Sequence, residues 1–239
     1  MVKKQLALLL FMTFSAAFAQ NLSGDDVLNK AIKYHDPDNL WSTFHGQLSI
    51  STETPDKTNR LSEIILNLAA EYFELKTTRD NTTTLQLLHK GNCKLSLNGS
   101  EEFSEDEAKS HRLNCNRAKT MKNYYTYLYG LPMKLRDPGT NIDPTVSTKK
   151  FKGKEYLVIK VTYDEPVGGD IWYFYFDPVS YAMEVYQFYH DESKNDGEYI
   201  LLKGEEKVSG IKMPKTRAWY YNKDDTYLGT DILTKTKAL

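Results

Sequence analysis

The sequence predicts a mainly β protein with an α insert, a curved antiparallel sheet or half-open β-barrel covered by helices. Three observations lead there. Apolar and polar residues alternate through many short segments, the period of a strand with one buried and one wet face. Turn pairs such as Asp177-Pro178 and Asp196-Gly197 separate those segments. Two capping boxes, Ser23 with Asp26 and Ser104 with Glu107, open helices near the start and in the middle.

At the N-terminus, Lys3 and Lys4 precede an apolar run from Leu6 to Phe18 that closes on Ala17-Phe18-Ala19. Residues 1–19 therefore read as a secretory signal peptide cleaved after Ala19. Residue 20 is Gln and not Cys, so no lipid attachment is expected. No second apolar stretch of about 18 residues follows, and the protein is not expected to span a membrane. The expected location is periplasmic or secreted, with residues 20–239 forming one β-rich domain.

After the leader, Val27, Leu28, Ala31 and Ile32 recur at helical spacing until Asp36-Pro37 stops the helix. Phe44, Leu48 and Ile50 then share one strand parity, against His45, Gln47, Ser49, Ser51 and Glu53 on the other. Ile64, Leu66 and Leu68, then Phe73 and Leu75, Leu85 and Leu87, and Leu95 and Leu97 continue as hairpins. A helical insert is expected over about 104–135, followed by a long loop reaching Pro144 and containing the turn Asp137-Pro138-Gly139. Strands resume with Leu157, Ile159, Val161 and Tyr163, with Trp172, Phe174 and Phe176, and with Met183, Val185 and Tyr189. Three more, ending near Leu233, bring the expected total to about ten or eleven.

Composition narrows the function. The formal net charge is -1, and more acidic still without Lys3 and Lys4, which leaves no electrostatic footprint for nucleic acid. Seventeen Tyr and ten Phe suit either strands or a contact surface. Cys93 and Cys115, the only cysteines, are expected to pair in an oxidising compartment, since neither a Cys-x-x-Cys spacing nor further ligands suggest a metal. Catalytic signatures such as Gly-x-Ser-x-Gly, His-Glu-x-x-His and the P-loop are missing. His35, His45, His89, His111 and His190 show no i, i+4 pairing, and the acidic stretch Asp191 to Glu198 has Asp196 where a calcium loop needs Gly. No enzyme activity, cofactor or metal is expected; a hydrolase would require His35, Asp36 and His190 to converge in one cleft.

Tyr34-His35-Asp36-Pro37, the run from Tyr124 to Leu135, Trp172 to Pro178, Asp196-Gly197-Glu198-Tyr199 and Gly229-Thr230-Asp231 resemble a family of exported Bacteroidota proteins known by a domain of unknown function, DUF6503. The element order is also similar to that of the lipoprotein carriers LolA and LolB. That resemblance implies a LolA-like barrel whose concave face holds acyl chains beneath short helices, with an arginine latching the cover; neither Arg60 nor Arg217 aligns with it clearly.

The expected ligand is therefore apolar, a lipid, an acyl chain or a lipoprotein. Leu48, Ile50, Ile64, Leu66, Phe73, Leu157, Ile159, Val161, Trp172, Phe174 and Trp219 would line the trough. Leu128, Leu131, Met133 and Leu135 would form the lid. Two other readings stay open: the same residues fill a closed core, or exposed tyrosines serve an envelope interaction or scaffolding module. The oligomeric state is not indicated.

Overall fold

The computed structural model describes residues 22–165 and 167–239. The expected leader and its cleavage after Ala19 lie outside the described residues. The first helix, α1, covers Gly24–His35; Ser23 and Asp26 close the expected capping box, and Asp36 ends the helix. A 3-10 turn at Trp41–Thr43 leads into five strands, β1 His45–Thr54, β2 Lys57–Asn67, β3 Tyr72–Arg79, β4 Thr82–His89 and β5 Asn92–Leu97.

Two helices follow, α2 Glu105–Ser110 and α3 Cys115–Gly130, then a second 3-10 turn at Met133–Arg136. Ser104 and Glu107 form the second capping box, while Asn114 caps α3. Seven further strands complete the chain: β6 Thr140–Phe151, β7 Lys154–Tyr163, β8 Ile171–Phe176, β9 Met183–Tyr189, β10 Glu198–Val208, β11 Ile211–Tyr221 and β12 Tyr227–Ala238.

The described strands form one antiparallel sheet in the order β5-β4-β3-β2-β1-β12-β11-β10-β9-β8-β7-β6. Two meanders thus meet where β1 pairs with β12. The sheet stays open because its edges, β5 and β6, do not pair with each other. Twelve twisted strands cannot lie flat and so curl around their apolar face. The insert leaves from one edge and returns to the other, so it has to cross the sheet, and it crosses on the concave side. There α3 packs on β4 and β5, while α1 packs on β6, β7 and β11.

The strand reading needs correcting in parity and in count: Gln86 and Leu88, not Leu85 and Leu87, are the buried residues of β4, and on β9 Tyr186 and Phe188 face the main core while Val185 packs on the other face. The expected loop to Pro144 ends at Gly139, and β6 begins at Thr140, giving twelve strands instead of ten or eleven. Pro144 is tolerated because β6 is an edge strand and its pairing with β7 is interrupted between Ile142 and Val146.

Candidate functional site

The inward parity of the strands and the underside of the insert make one apolar cluster. Leu48, Ile50, Ile64, Leu66, Phe73, Ile159, Val161 and Phe174 are at most 1% exposed, and Leu157, Trp172 and Trp219 pack against them half-buried. Leu128, Leu131, Met133 and Leu135 join the same cluster from above. The structure thus brings the residues expected to line a trough and those expected to form a lid into one buried apolar cluster.

The cover is fastened at both ends. Cys93 of β5 and Cys115, the first residue of α3, form the expected disulfide, with Cα atoms 5.9 Å apart. At the far end, Arg217 of β11 is 1% exposed and donates from Nη2 to the Leu128 carbonyl at 2.9 Å. Its guanidinium also lies 4.0 Å from the centre of the Tyr129 ring, a cation–π contact. Burial pushes the Tyr129 phenol above its ordinary pKa, while Arg217 pulls it the other way. The Leu131–Pro132 peptide just beyond is cis.

Arg217 belongs to a polar row that crosses the greasy face. Arg60 of β2, Thr52 of β1, Asp231 of β12 and Arg217 are successive cross-strand partners. Arg60 Nη2 donates to Thr52 Oγ1 at 3.1 Å, and that hydroxyl donates to Asp231 Oδ1 at 2.6 Å. Buried charge is tolerated only with partners: Thr52 bridges Arg60 and Asp231, while Arg217 finds its acceptor in the Leu128 carbonyl. The cover's seat is still incompletely satisfied: Arg217 Nε, Tyr129 Oη and Thr126 Oγ1 are buried without a hydrogen-bond partner. Orphaned groups of this kind weaken a contact that is otherwise apolar.

The polar side chains of the motif Tyr34-His35-Asp36-Pro37 all have hydrogen-bond partners. His35 Nε2 accepts from the Met183 N–H at 3.0 Å, so Nδ1 carries the proton and donates to the Lys212 carbonyl at 2.9 Å. Burial lowers the His35 pKa. Asp36 accepts from the N–H groups of Leu40 and Trp41, both at 2.8 Å, and Tyr34 Oη donates to Glu205 at 2.8 Å. His190 instead meets Asp170, at 2.6 Å. The three residues a hydrolase would have needed therefore have separate partners. Among the described residues, no group of three or more His, Cys, Asp or Glu side chains is placed to hold a metal ion. None of the described helices is long and apolar enough to cross a membrane.

Sequence reasoning missed the polar row. A local signal existed, because Arg217 shares its parity with Met213 and Trp219, and Asp231 shares its own with Leu233. The partner of Arg217, Leu128, is 89 residues away, and that pairing becomes visible only once the sheet is assembled.

The fold has known counterparts. A LolA superfamily protein from Nitrosomonas europaea superposes with a TM-score of 0.51 at 12% identity, over 91% of this chain and 94% of its own. A DUF1329 family protein from Desulfovibrio piger superposes with a TM-score of 0.50 at 10% identity, over 90% of this chain and 91% of its own. At such identities the likeness is one of fold, and this chain has the LolA-like fold. Comparison with curated proteins finds no match. By sequence, the chain belongs to DUF6503, a family of unknown function, whose model matches residues 3–236.

Proposed function

We propose that this protein is an exported carrier of the cell envelope that takes an acyl chain, from a lipid or a lipoprotein, into the concave face of its half-open barrel. The observation that carries the reading is the fastening of the cover: one buried arginine bond holds the C-terminal turn of α3 over the apolar trough. Releasing that bond would expose the trough residues Leu48, Ile64, Phe73 and Phe174 to a ligand. The disulfide would keep the other end of α3 attached to β5. A chain buried there gains about 0.8 kcal/mol per CH2, so a long acyl chain can offset both the broken latch and the displaced lid contacts. The leader read from the sequence and the disulfide support an envelope or secreted location. No catalytic step is assigned.

Titration with a fluorescent fatty acid tests the reading. On this reading the wild type should bind, Phe174→Glu should not, and Tyr173→Glu should bind normally, because Tyr173 packs on the convex side with Tyr175 and Val158. Absence of binding by folded wild type, or equal binding by folded Phe174→Glu, would contradict it.

A second reading has its own observation. The convex face carries the exposed Tyr227 with its ring 5.5 Å from that of half-buried Tyr220, which stacks in turn on the buried Tyr199 at 5.1 Å. Such a surface suits an envelope interaction module. Tyr220→Ser with Tyr227→Ser would abolish partner capture on that reading and leave fatty-acid binding intact on the first.

A further inference from the structure

At one end of the half-barrel the inward parity changes character. Along β2 it runs from Leu66 and Ile64 to Arg60, along β3 from Phe73 and Leu75 to Thr77 and Arg79, and along β4 from Leu88 to Gln86, Thr84 and Thr82. A cavity of about 510 Å3 opens there, roofed by the α2–α3 junction and the first half of α3. Lys57, Arg60, Arg79, Arg112 and Arg117 line it with His111, against the single carboxylate of Asp80.

The chain has only six arginines, and four of them stand in this one cavity. Elsewhere on the surface Lys76, Lys94, Lys152, Lys154, Lys160 and Lys215 each meet a carboxylate. Among the described residues, none of the cavity's five permanent cations forms an ion pair. Arg60 Nε and Arg79 Nε are buried without an acceptor. Gln86, 6% exposed, has Oε1 buried without a donor. Like charges gathered around a partly enclosed space repel one another unless an anion sits among them. Guanidinium forks match the oxygens of a phosphate in pairs, which lysine cannot do. The Gln86 acceptor would suit the hydroxyl of a protonated phosphate or of a polyol esterified to it.

We propose that this cavity is a phosphate-binding site, taking the phosphate of a soluble ester or of a lipid headgroup. It requires no opening of the cover and stands whether or not the trough takes an acyl chain.

Isothermal titration of the purified protein at low and physiological salt, with glycerol 3-phosphate and with a short-chain lysophosphatidate below its micellar concentration, tests this. Arg79→Gln, Arg117→Gln and the exposed Arg112→Gln should each weaken binding at least tenfold. Lys119→Gln, an equal charge change on α3 outside the cavity, should leave it unaltered. Should Arg79→Gln or Arg117→Gln fail to fold, Arg112→Gln decides alone. Binding of both probes supports a site for the phosphate group itself; binding of lysophosphatidate alone supports a headgroup site. Binding of neither probe, or equal weakening by Lys119→Gln, overturns the proposal.

Discussion

Arg217 on β11 donates to the main-chain carbonyl of Leu128 on α3, and this 2.9 Å bond joins the floor of the half-barrel to the end of the helix that covers it. Replacing Arg217 with Met keeps much of the apolar stem but removes a charge-assisted bond worth about 1.5–3 kcal/mol. The loss should concentrate at residues 127–131. Hydrogen exchange by mass spectrometry should show faster exchange in the C-terminal turn of α3 than at its disulfide-bound start. Uniform acceleration across all strands, with no preference for that turn, would show that Arg217 is no latch.

The disulfide holds the other end. Cys93 and Cys115 close a loop with a sequence separation of 22, for which the chain-entropy model gives about 3 kcal/mol. The double variant Cys93→Ser, Cys115→Ser should lose about that much in urea unfolding, with its folded far-ultraviolet spectrum unchanged. A loss under about 1 kcal/mol would place the tether outside the stability of the cover.

His35 makes the fold sensitive to acid. Its folded-state pKa lies below the ordinary histidine value of about 6.5, first because burial disfavours the cation. The unfolded chain therefore takes up a proton before the folded one does. Stability contributed by neutral His35 is full above about pH 6.5 and is lost as pH falls below it. His190 has the opposite sign, since Asp170 raises its pKa, but it is exposed and screened. The melting temperature should fall from pH 7 to pH 5, and His35→Gln should flatten that slope. Identical slopes for the two proteins would remove His35 as the cause.

Gly130 sits where α3 passes the Trp41 ring. A Cβ at that position would stand 2.3 Å from Trp41 Cζ2 and 2.6 Å from Lys134 Cγ, so Gly130→Ala must push the helix end or the ring aside. Trp41 has little freedom to yield, because its N–H is held by Asp36 and its ring packs at 5.4 Å from Phe44. Overpacking of this kind costs about 1–3 kcal/mol, to be read from chemical denaturation. A variant as stable as the wild type would show that the contact is loose.

What could be read in the sequence was what short-range chemistry determines. Leu48 and Ile50 alternate with polar neighbours because one face of β1 is wet, and Ser23 and Ser104 announce helix starts with the residues that satisfy free N–H groups. The β6 strand escaped because its polar composition and Pro144 look like a loop when the partner strand is unknown. The path of the insert depends on its two ends standing at opposite edges of the sheet, which no local pattern records. The cation cavity gathers Arg60 and Arg79 from separate hairpins with Arg112 from the α2–α3 junction and Arg117 from α3. The trough residues were identified by parity alone, and parity assigns them to the inner face without stating what fills it.

The most direct measurement of the carrier reading is native mass spectrometry of the protein purified from the envelope under mild conditions. A carrier should show a population heavier than the bare polypeptide by the mass of a lipid or acylated peptide, which organic extraction removes and which Phe174→Glu lacks. Only the bare polypeptide mass, with no adduct even after incubation with lipids of several chain lengths, would contradict it and leave the concave face as a closed core.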